Sequence, residues 1–372
     1  MIGRRAVLMS GAALAGCAGL PLGHSGVARR PFGTLPDGQA VEAFTLSNRS
    51  GASCEIITYG ASVTSLRMPD RQGRLAEVVL GLDTLEDYRL RNRNFGATVG
   101  RYAGRIGEGR FVLDGQEVRL ETGGGRHSSH GGPVGFARRN WSARPTGGSA
   151  VELTLISADG DQGFPGELTL RLLYRLTSDN RLTLDFTATT TRPTVLNPTH
   201  HSYFNLSGEP AALVLDHALQ LHADAFTPYD AGKMATGEFR PVAGTPFDFR
   251  SPKPIGRDID LPDEQLRIGA GYDHAFLIRG EAGRLRPAAR LSHPASGRAL
   301  ELWTTEPGVQ VYTANAVDQP GRGGVAYTPR CGVCLEPQHF QDSPNRPEFP
   351  STVLGPGEVF RSRSEYRFTT FG

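Results

Sequence analysis

The chain has 372 residues, enough for one large domain or for two or three smaller ones. Its 40 basic and 38 acidic residues nearly cancel, and no basic stripe stands out, so nothing indicates a nucleic-acid-binding surface. The 47 glycines and 26 prolines favour many short strands joined by turns.

Residues 1–30 differ in character from the rest of the chain. Arg4 and Arg5 precede an apolar run over residues 6–20, which is typical of an export signal and too short to span a bilayer comfortably. The sequence Leu14-Ala15-Gly16-Cys17 resembles a bacterial lipoprotein cleavage box. We therefore expect residues 1–30 to be a signal segment, the mature protein to be periplasmic, and a lipidated Cys17 to tether it to the membrane. An ordinary secretory signal with an incidental Cys17 is the alternative.

Three cysteines follow the signal segment: Cys54, Cys331 and Cys334. An odd number excludes a complete disulfide framework in an exported protein. Cys331 and Cys334 have the spacing of redox or zinc sites, but no second pair exists and the flanking pattern is that of a strand. We expect them to be buried, small apolar residues.

From residue 31 to 372 no linker or repeat interrupts the chain, which predicts a single domain. Residues 77–90 predict a strand that ends in a short helical turn. Residues 110–120 predict a hairpin, because apolar positions alternate on both sides of Asp114-Gly115. A second hairpin is predicted over residues 166–188, around Asp179-Asn180. Further strands are predicted at 151–155, 211–221, 273–278, 287–291, 299–303 and 308–312.

Alternation with a period of two predicts sheets that have one buried face and one polar face. No window shows a long stripe of period 3.6. The fold class that follows is all-β, a large and mostly antiparallel β-sandwich whose loops would carry the function.

The segment Asn197–Leu206 contains two adjacent histidines where a turn becomes a strand. Because neighbouring side chains on a strand point to opposite faces, only one of His200 and His201 can enter a given pocket, and a shared metal is not expected. Arg105 and His130 flank the 110–120 hairpin, which returns the chain to the end it left, so both can lie at the same rim.

Two carboxylates adjoin apolar strands: Asp273 precedes one and Glu336 closes another. A buried, unpaired carboxylate is costly, so we expect both at the rim of a pocket. The chain contains no Gly-x-Ser-x-Gly elbow and no His-Glu-x-x-His pair. Composition and spacing thus lead to an exported β-sandwich with a polar pocket, and no further.

Six motifs, in this order, resemble those of the aldose 1-epimerase (galactose mutarotase) family. They are Phe95–Ile106, His130–Phe136, Asn197–Leu206, Gly271–His274, Pro307–Gln310 and Leu335–Glu336. The likeness extends from about residue 32 to residue 372.

The resemblance implies a supersandwich of the galactose mutarotase type with the sugar in an open cleft. It implies interconversion of the α and β anomers of free aldoses, such as glucose or galactose, without a cofactor or metal. Glu336 would be the general base and His201 the general acid. The sugar hydroxyls would be held by Arg105, His130, Asp273 and Gln310. A monomer or weak dimer is expected.

Two positions depart from the family pattern. Gly104 stands where many relatives have asparagine, so one sugar contact is expected to be missing or replaced. His200 also stands where asparagine is common, and we expect it at the rim.

For the acid and base, we expect Glu336 to be ionised with its ordinary pKa of about 4.3, and a nearby carboxylate to raise the pKa of His201 from about 6.5.

Three alternatives stay open. A non-catalytic carbohydrate-binding or sensor protein would need neither Glu336 nor His201. An epimerase for phosphorylated hexoses would need added basic residues near the pocket. A glycoside hydrolase would need two carboxylates that flank the scissile bond, about 5–10 Å apart.

Overall fold

The structure, a computed structural model, describes residues 25–372. Cys17 and most of the predicted signal segment lie outside the described residues. The first strand spans Gly26–Thr34 and pairs with the next strand in an antiparallel ladder. Residues 26–30, which the sequence assigns to the signal segment, therefore belong to the folded part of the chain.

The described residues form thirty strands, most of them short. In chain order they are β1 (Gly26–Thr34), β2 (Ala40–Ser47), β3 (Ser53–Ile57), β4 (Ser62–Pro69), β5 (Leu75–Glu77), β6 (Ala97–Val99), β7 (Arg105–Ile106), β8 (Arg110–Leu113), β9 (Gln116–Arg119), β10 (Ser128–Ser129), β11 (Ser142–Pro145), β12 (Ala150–Ser157), β13 (Leu168–Leu176), β14 (Arg181–Thr190), β15 (Thr194–Val195), β16 (Thr199–His201), β17 (Tyr203–Phe204), β18 (Ala218–Leu221), β19 (Ala223–Phe226), β20 (Arg240–Pro241), β21 (Lys253–Pro254), β22 (Asp273–Ile278), β23 (Arg286–His293), β24 (Arg298–Thr304), β25 (Gly308–Tyr312), β26 (Gln319–Pro320), β27 (Ala326–Tyr327), β28 (Val333–Gln338), β29 (Val353–Leu354) and β30 (Phe360–Thr370).

Helical structure within residues 25–372 is limited to short pieces. The α-helices are α1 (Leu85–Leu90) and α2 (Glu264–Gly269), capped at their N-termini by the side chains of Thr84 and Asp263. Single 3-10 turns span Gly107–Gly109, Phe136–Arg138, Asp161–Gly163, Val214–Asp216, Ile255–Arg257, Arg322–Gly324 and Ser343–Asn345. No helix in this range is long and apolar enough to cross a membrane.

Three large sheets and five two-stranded sheets build the described part of the chain, and every ladder between strands is antiparallel. A nine-stranded sheet has the order β11-β12-β13-β14-β30-β24-β23-β18-β21, a six-stranded sheet the order β17-β28-β25-β22-β19-β20, and a five-stranded sheet the order β1 to β5. One continuous apolar core joins residues of all three large sheets. The predicted class, an all-β antiparallel sandwich, is therefore confirmed.

The alternation read from the sequence matches the burial of the side chains. On β13 every second residue from Leu168 to Leu176 is buried, and the residues between them are partly or fully exposed. The predicted 110–120 hairpin is formed by β8 and β9. The thiols of Cys54, Cys331 and Cys334 are free and buried, as expected for apolar packing.

The six-stranded sheet has two faces of different chemistry, and this positions the site. Val309, Val311 and Leu335 point inwards and are buried in the main core. Because side chains alternate along a strand, Gln310 on β25 and Glu336 on β28 point to the opposite face. That opposite face is the floor of a cavity.

Candidate active site

A cavity of about 470 Å³ is lined by all six residues that the sequence assigns to the site. These residues come from five strands and one loop that are distant in the chain: Arg105, His130, His201, Asp273, Gln310 and Glu336. The fold therefore brings together every predicted site residue.

The floor of the cavity follows from the strand register. Gln310 on β25 lies directly across from Glu336 on β28, and Asp273 at the start of β22 lies across from Tyr312. Their side chains share one face of the sheet because each strand alternates. The Nε2 of Gln310 donates a hydrogen bond of 2.7 Å to Oδ1 of Asp273.

His201 occupies the wall above this floor. It ends β16, which pairs with β6, and its side chain is 6% exposed. Nε2 of His201 lies 3.6 Å from Oε1 of Glu336. Among the six predicted residues, this is the shortest distance between an imidazole nitrogen and a carboxylate oxygen.

His200 points away from the cavity, as alternation along β16 requires. The expectation that it lies at the rim is wrong: it is 2% exposed and does not line the cavity. Its Nδ1 lies 3.3 Å from the hydroxyl of Tyr174, and its Nε2 lies 2.7 Å from the hydroxyl of Ser202. Burial lowers the pKa of His200 to about 3, so it is a neutral, structural residue.

Arg105 and His130 lie side by side because β7 pairs with β10, where Arg105 faces Ser129. His130 has a φ of 50°, and its ring packs edge-on against that of His201 at a centroid distance of 5.7 Å. The following Gly131 cannot carry a side chain, because a Cβ would lie 1.9 Å from the carbonyl oxygen of Gly100. The backbone N–H of Gly104 donates to Nδ1 of His130 at 3.4 Å, which leaves Nε2 of the neutral ring as a donor.

Burial sets the protonation of the acid and base differently from the sequence-based expectation. Glu336 is 2% exposed, so it lies on the floor and not at the rim. Burial, reinforced by the nearby Asp273, raises the pKa of Glu336 well above the ordinary carboxyl value. Burial also lowers the pKa of His201 to about 4, although a carboxylate is near. The expected raised pKa of His201 and ordinary pKa of Glu336 are therefore both wrong, because desolvation outweighs the neighbouring charge.

Two other predicted residues also have shifted pKa values. Burial raises the pKa of Asp273, and Arg105 and the hydrogen bond from Gln310 oppose that effect. Burial lowers the pKa of His130 to about 3, with smaller contributions from His201 and Arg105. His130 is therefore neutral near pH 7 and acts as a hydrogen-bonding group.

Sequence reasoning missed several residues that line the cavity. Tyr312 and Gln338 are two positions from Gln310 and Glu336 on the same strands, so the period of two could have identified them. Tyr203 lies within the Asn197–Leu206 segment and packs against His201 at a ring distance of 5.0 Å. Three further cations, Arg93, Arg138 and Lys233, also line the cavity, and no sequence signal marked them.

The glycine at position 104 is explained by Gln341. Gly104 has a φ of 77°, and a Cβ at this position would lie 2.8 Å from Cγ of Gln341. Gln341 lines the cavity here, and its Nε2 donates to the hydroxyl of Tyr229 at 2.6 Å. A side chain at position 104 and the present placement of Gln341 exclude each other.

A second cluster of histidines, His217 and His293 with Asp216, lies outside this cavity. The backbone N–H of Leu206 donates to Nε2 of His217, and that of Ser296 donates to Nδ1 of His293. In the neutral form of each ring the proton must therefore lie on the nitrogen that faces Asp216. Those nitrogens donate hydrogen bonds to the carboxylate and have no lone pair for a metal.

The cavity can thus move protons between one carboxylate and one imidazole while several polar groups hold a hydroxylated substrate. The model of a known family, aldose 1-epimerase, matches residues 42–367 of the chain. The chain belongs to the aldose 1-epimerase family. It is therefore an enzyme of the isomerase class, and the alternative of a non-catalytic binding protein is set aside.

Relatives and solved structures agree with this membership. The chain is 40% identical to the galactose mutarotase of Bos taurus, over 92% of this chain and 98% of that protein. It is 39% identical to the aldose 1-epimerase of Escherichia coli, over 90% and 96%. The crystal structure of galactose 1-epimerase from Lactobacillus acidophilus NCFM superposes with a TM-score of 0.83 at 29% identity, covering 94% of this chain and 100% of that one. The fold is the galactose mutarotase-like supersandwich.

Proposed function

We propose that this enzyme interconverts the α and β anomers of free aldoses such as glucose and galactose, with Glu336 as general base and His201 as general acid. The observation that carries the proposal is the 3.6 Å separation of His201 Nε2 and Glu336 Oε1 inside a cavity lined by hydroxyl-binding groups. Arg105, His130, Asp273 and Gln310 hold the sugar hydroxyls and fix its orientation.

The reaction needs one proton to leave the substrate and one to enter it. The Glu336 carboxylate takes the proton of the C1 hydroxyl, the C1–ring-oxygen bond breaks, and the His201 imidazolium gives its proton to the ring oxygen. Rotation about the C1–C2 bond then presents the other face of the aldehyde. On closure the former ring oxygen, now a hydroxyl, attacks C1 and returns its proton to His201, while the protonated Glu336 gives its proton to the aldehyde oxygen, which becomes the new C1 hydroxyl.

Glu336 and His201 together therefore hold one proton in every active form of the enzyme. With the cyclic sugar the proton is on His201, and with the open-chain aldehyde it is on Glu336. Burial favours the second arrangement, because it raises the pKa of Glu336 and lowers that of His201, so that both groups are uncharged. In the substrate-free enzyme the shared proton therefore lies on Glu336, and it passes to His201 when the cyclic sugar binds.

This proton count predicts a bell-shaped pH dependence of kcat/KM. Below a pH of about 4, the pKa of His201, a second proton binds and no base remains. Above the raised pKa of Glu336 the last proton leaves and no acid remains. Polarimetry from pH 3 to 10, corrected for spontaneous mutarotation at each pH, measures the profile. A flat profile contradicts the assigned roles.

An aldose with an anionic substituent is a second candidate substrate. Arg93, Arg138 and Lys233 line the cavity in addition to Arg105, and none of the three forms a salt bridge within residues 25–372. They supply the added basic residues that a phosphorylated hexose requires. This candidate is favoured if the enzyme turns over glucose 6-phosphate faster than glucose at low salt and if that difference is lost at high salt.

We also propose that the enzyme is exported and anchored through a lipidated Cys17, on the evidence of the N-terminal pattern alone. Replacing Cys17 with alanine is expected to move the mature protein from the membrane fraction to the soluble periplasmic fraction. Fractionation of cells expressing both forms measures this. A Cys17→Ala protein that stays in the membrane fraction contradicts lipidation.

A further inference from the structure

One strand contacts both ring nitrogens of His201. Nδ1 lies 3.6 Å from Sγ of Cys334, and Nε2 lies 3.6 Å from Oε1 of Glu336. Cys334 and Glu336 are two residues apart on β28, so their side chains share a face. The imidazole is thus held between a thiol on one edge and the proposed base on the other.

The thiol of Cys334 is sealed from solvent. Its residue is 0% exposed, and Tyr203 and Tyr312 flank it as the paired residues on the neighbouring strands β17 and β25. Burial, together with the nearby carboxyl groups of Glu336 and Asp273, raises the pKa of the Cys334 thiol well above its ordinary value. The group beside Nδ1 is therefore an uncharged S–H across the neutral range.

We propose that Cys334 is a positioning residue: its neutral thiol occupies the Nδ1 edge of His201 and directs Nε2 toward Glu336 and the substrate. The inference rests on the acid role proposed for His201. A thiol suits this place because its sulfur can accept the Nδ1–H hydrogen bond both of the imidazolium and of the neutral ring that remains after Nε2 has given up its proton. It therefore serves both protonation states that the reaction cycle requires.

Because the Cys334 thiol is uncharged, it does not stabilise the His201 imidazolium as a carboxylate would. Elsewhere in this protein histidines pair with carboxylates, as His339 does with Glu306, whose Oε2 lies 2.9 Å from Nδ1. A carboxylate partner stabilises the imidazolium and makes it a weaker acid. A thiol does not, so His201 keeps an imidazolium that readily gives its proton to the weakly basic ring oxygen.

A different role for the same three groups is metal binding, because ligand atoms of His201, Cys334 and Glu336 lie within 4.8 Å of one another. Binding would require a thiolate, and burial opposes its formation. The two roles differ in what a thiol-free variant does. A metal site loses bound metal, whereas a positioning role changes the tautomer of the ring.

The tautomer of His201 can be measured without turnover. In the full-length protein labelled with ¹⁵N-histidine, long-range ¹H–¹⁵N spectra at pH 7 are expected to show neutral His201 with its proton on Nδ1, assigned by the signals lost in His201→Gln. Cys334→Ser is expected to keep this tautomer, and Cys334→Ala is expected to give a mixture. The same Nδ1–H tautomer in all three proteins would overturn the proposal, as would metal bound by the wild type and lost in Cys334→Ala.

Kinetics supply the second test. Cys334→Ala is expected to lower kcat about 10-fold with KM changed less than about threefold, and Cys334→Ser to restore kcat to within about threefold of wild type. Cys334→Asp and its neutral isostere Cys334→Asn are a matched pair that differ by a charge at Nδ1. The aspartate is expected to move the acid limb of the pH profile upward by at least about one pH unit, and the asparagine is not.

The possible failures are separable. If the wild type does not accelerate mutarotation, the proposed function fails whatever the spectra show. If the wild type is active but Cys334→Ala keeps its kcat, its pH profile and its tautomer, Cys334 is only packing and the inference fails. Should the aspartate variant not fold, the alanine and serine variants decide the question alone.

Discussion

Replacing Glu336 with glutamine is expected to lower kcat by about 10²–10⁴-fold while KM for glucose or galactose changes little. Glutamine keeps the size of the side chain and a hydrogen-bonding group but cannot take the C1 proton. The fold should tolerate this change well, because burial already favours an uncharged group at this position. Polarimetry gives kcat, and thermal unfolding gives the stability of the same preparation.

Glu306→Gln is the matched control. Glu306 is also a buried carboxylate beside a histidine, His339, but it does not line the active cavity. Its pKa is lowered by its hydrogen bond and charge interaction with His339, against the effect of burial, so the charge at this site is stabilising. We expect the control to lose stability and to keep kcat. Equal losses of kcat in both variants would contradict the assignment of Glu336 as the base.

Replacing His201 with glutamine is the second large effect, again a loss of about 10²–10⁴-fold in kcat. The ring oxygen then receives no proton from the enzyme as the ring opens. In the wild type the acid limb near pH 4 reflects the second proton, which binds to His201. The variant has no imidazole for that proton, so its acid limb is expected to follow the pKa of Glu336 alone. A pH series of polarimetric rates on the variant measures both effects.

The neighbour of His201 provides the control for that experiment. His200→Gln alters a buried ring that contacts Tyr174 and Ser202 on the opposite face of the strand. We expect a loss of about 1–3 kcal/mol in the free energy of unfolding, with kcat of the folded protein within a few-fold of wild type. Greater damage to kcat from His200→Gln than from His201→Gln would contradict the assignment of the acid.

Local patterns predicted the parts of the fold that depend on neighbours in the chain. The alternation on β13 and the turn between β8 and β9 depend only on residues that are close in the sequence, and the structure contains both. The C-terminal strand β30 was missed. It lies in the middle of the nine-stranded sheet, between β14 and β24. Two of its inward-facing residues are Ser362 and Ser364, so its burial leaves no clean apolar alternation in the sequence.

The site shows the same division between local and distant information. Family motifs indicated all six residues of the cavity, and alternation on a strand separated His201 from His200. The pKa values of Glu336 and His201 were not predictable, because they depend on desolvation by residues remote in the sequence. For the same reason the contact between Cys334 and His201 could not be read from a sequence in which Cys334 resembles an ordinary core residue.

We expect this protein to accelerate anomer exchange of a free aldose. The most direct measurement is the optical rotation of freshly dissolved α-D-glucose and α-D-galactose, followed with and without catalytic amounts of the wild-type enzyme. With the enzyme present, we expect a first-order approach to the same final rotation at a rate proportional to enzyme concentration. Unchanged rates for both sugars, together with tight binding of either one, would contradict this expectation and identify a sugar-binding protein.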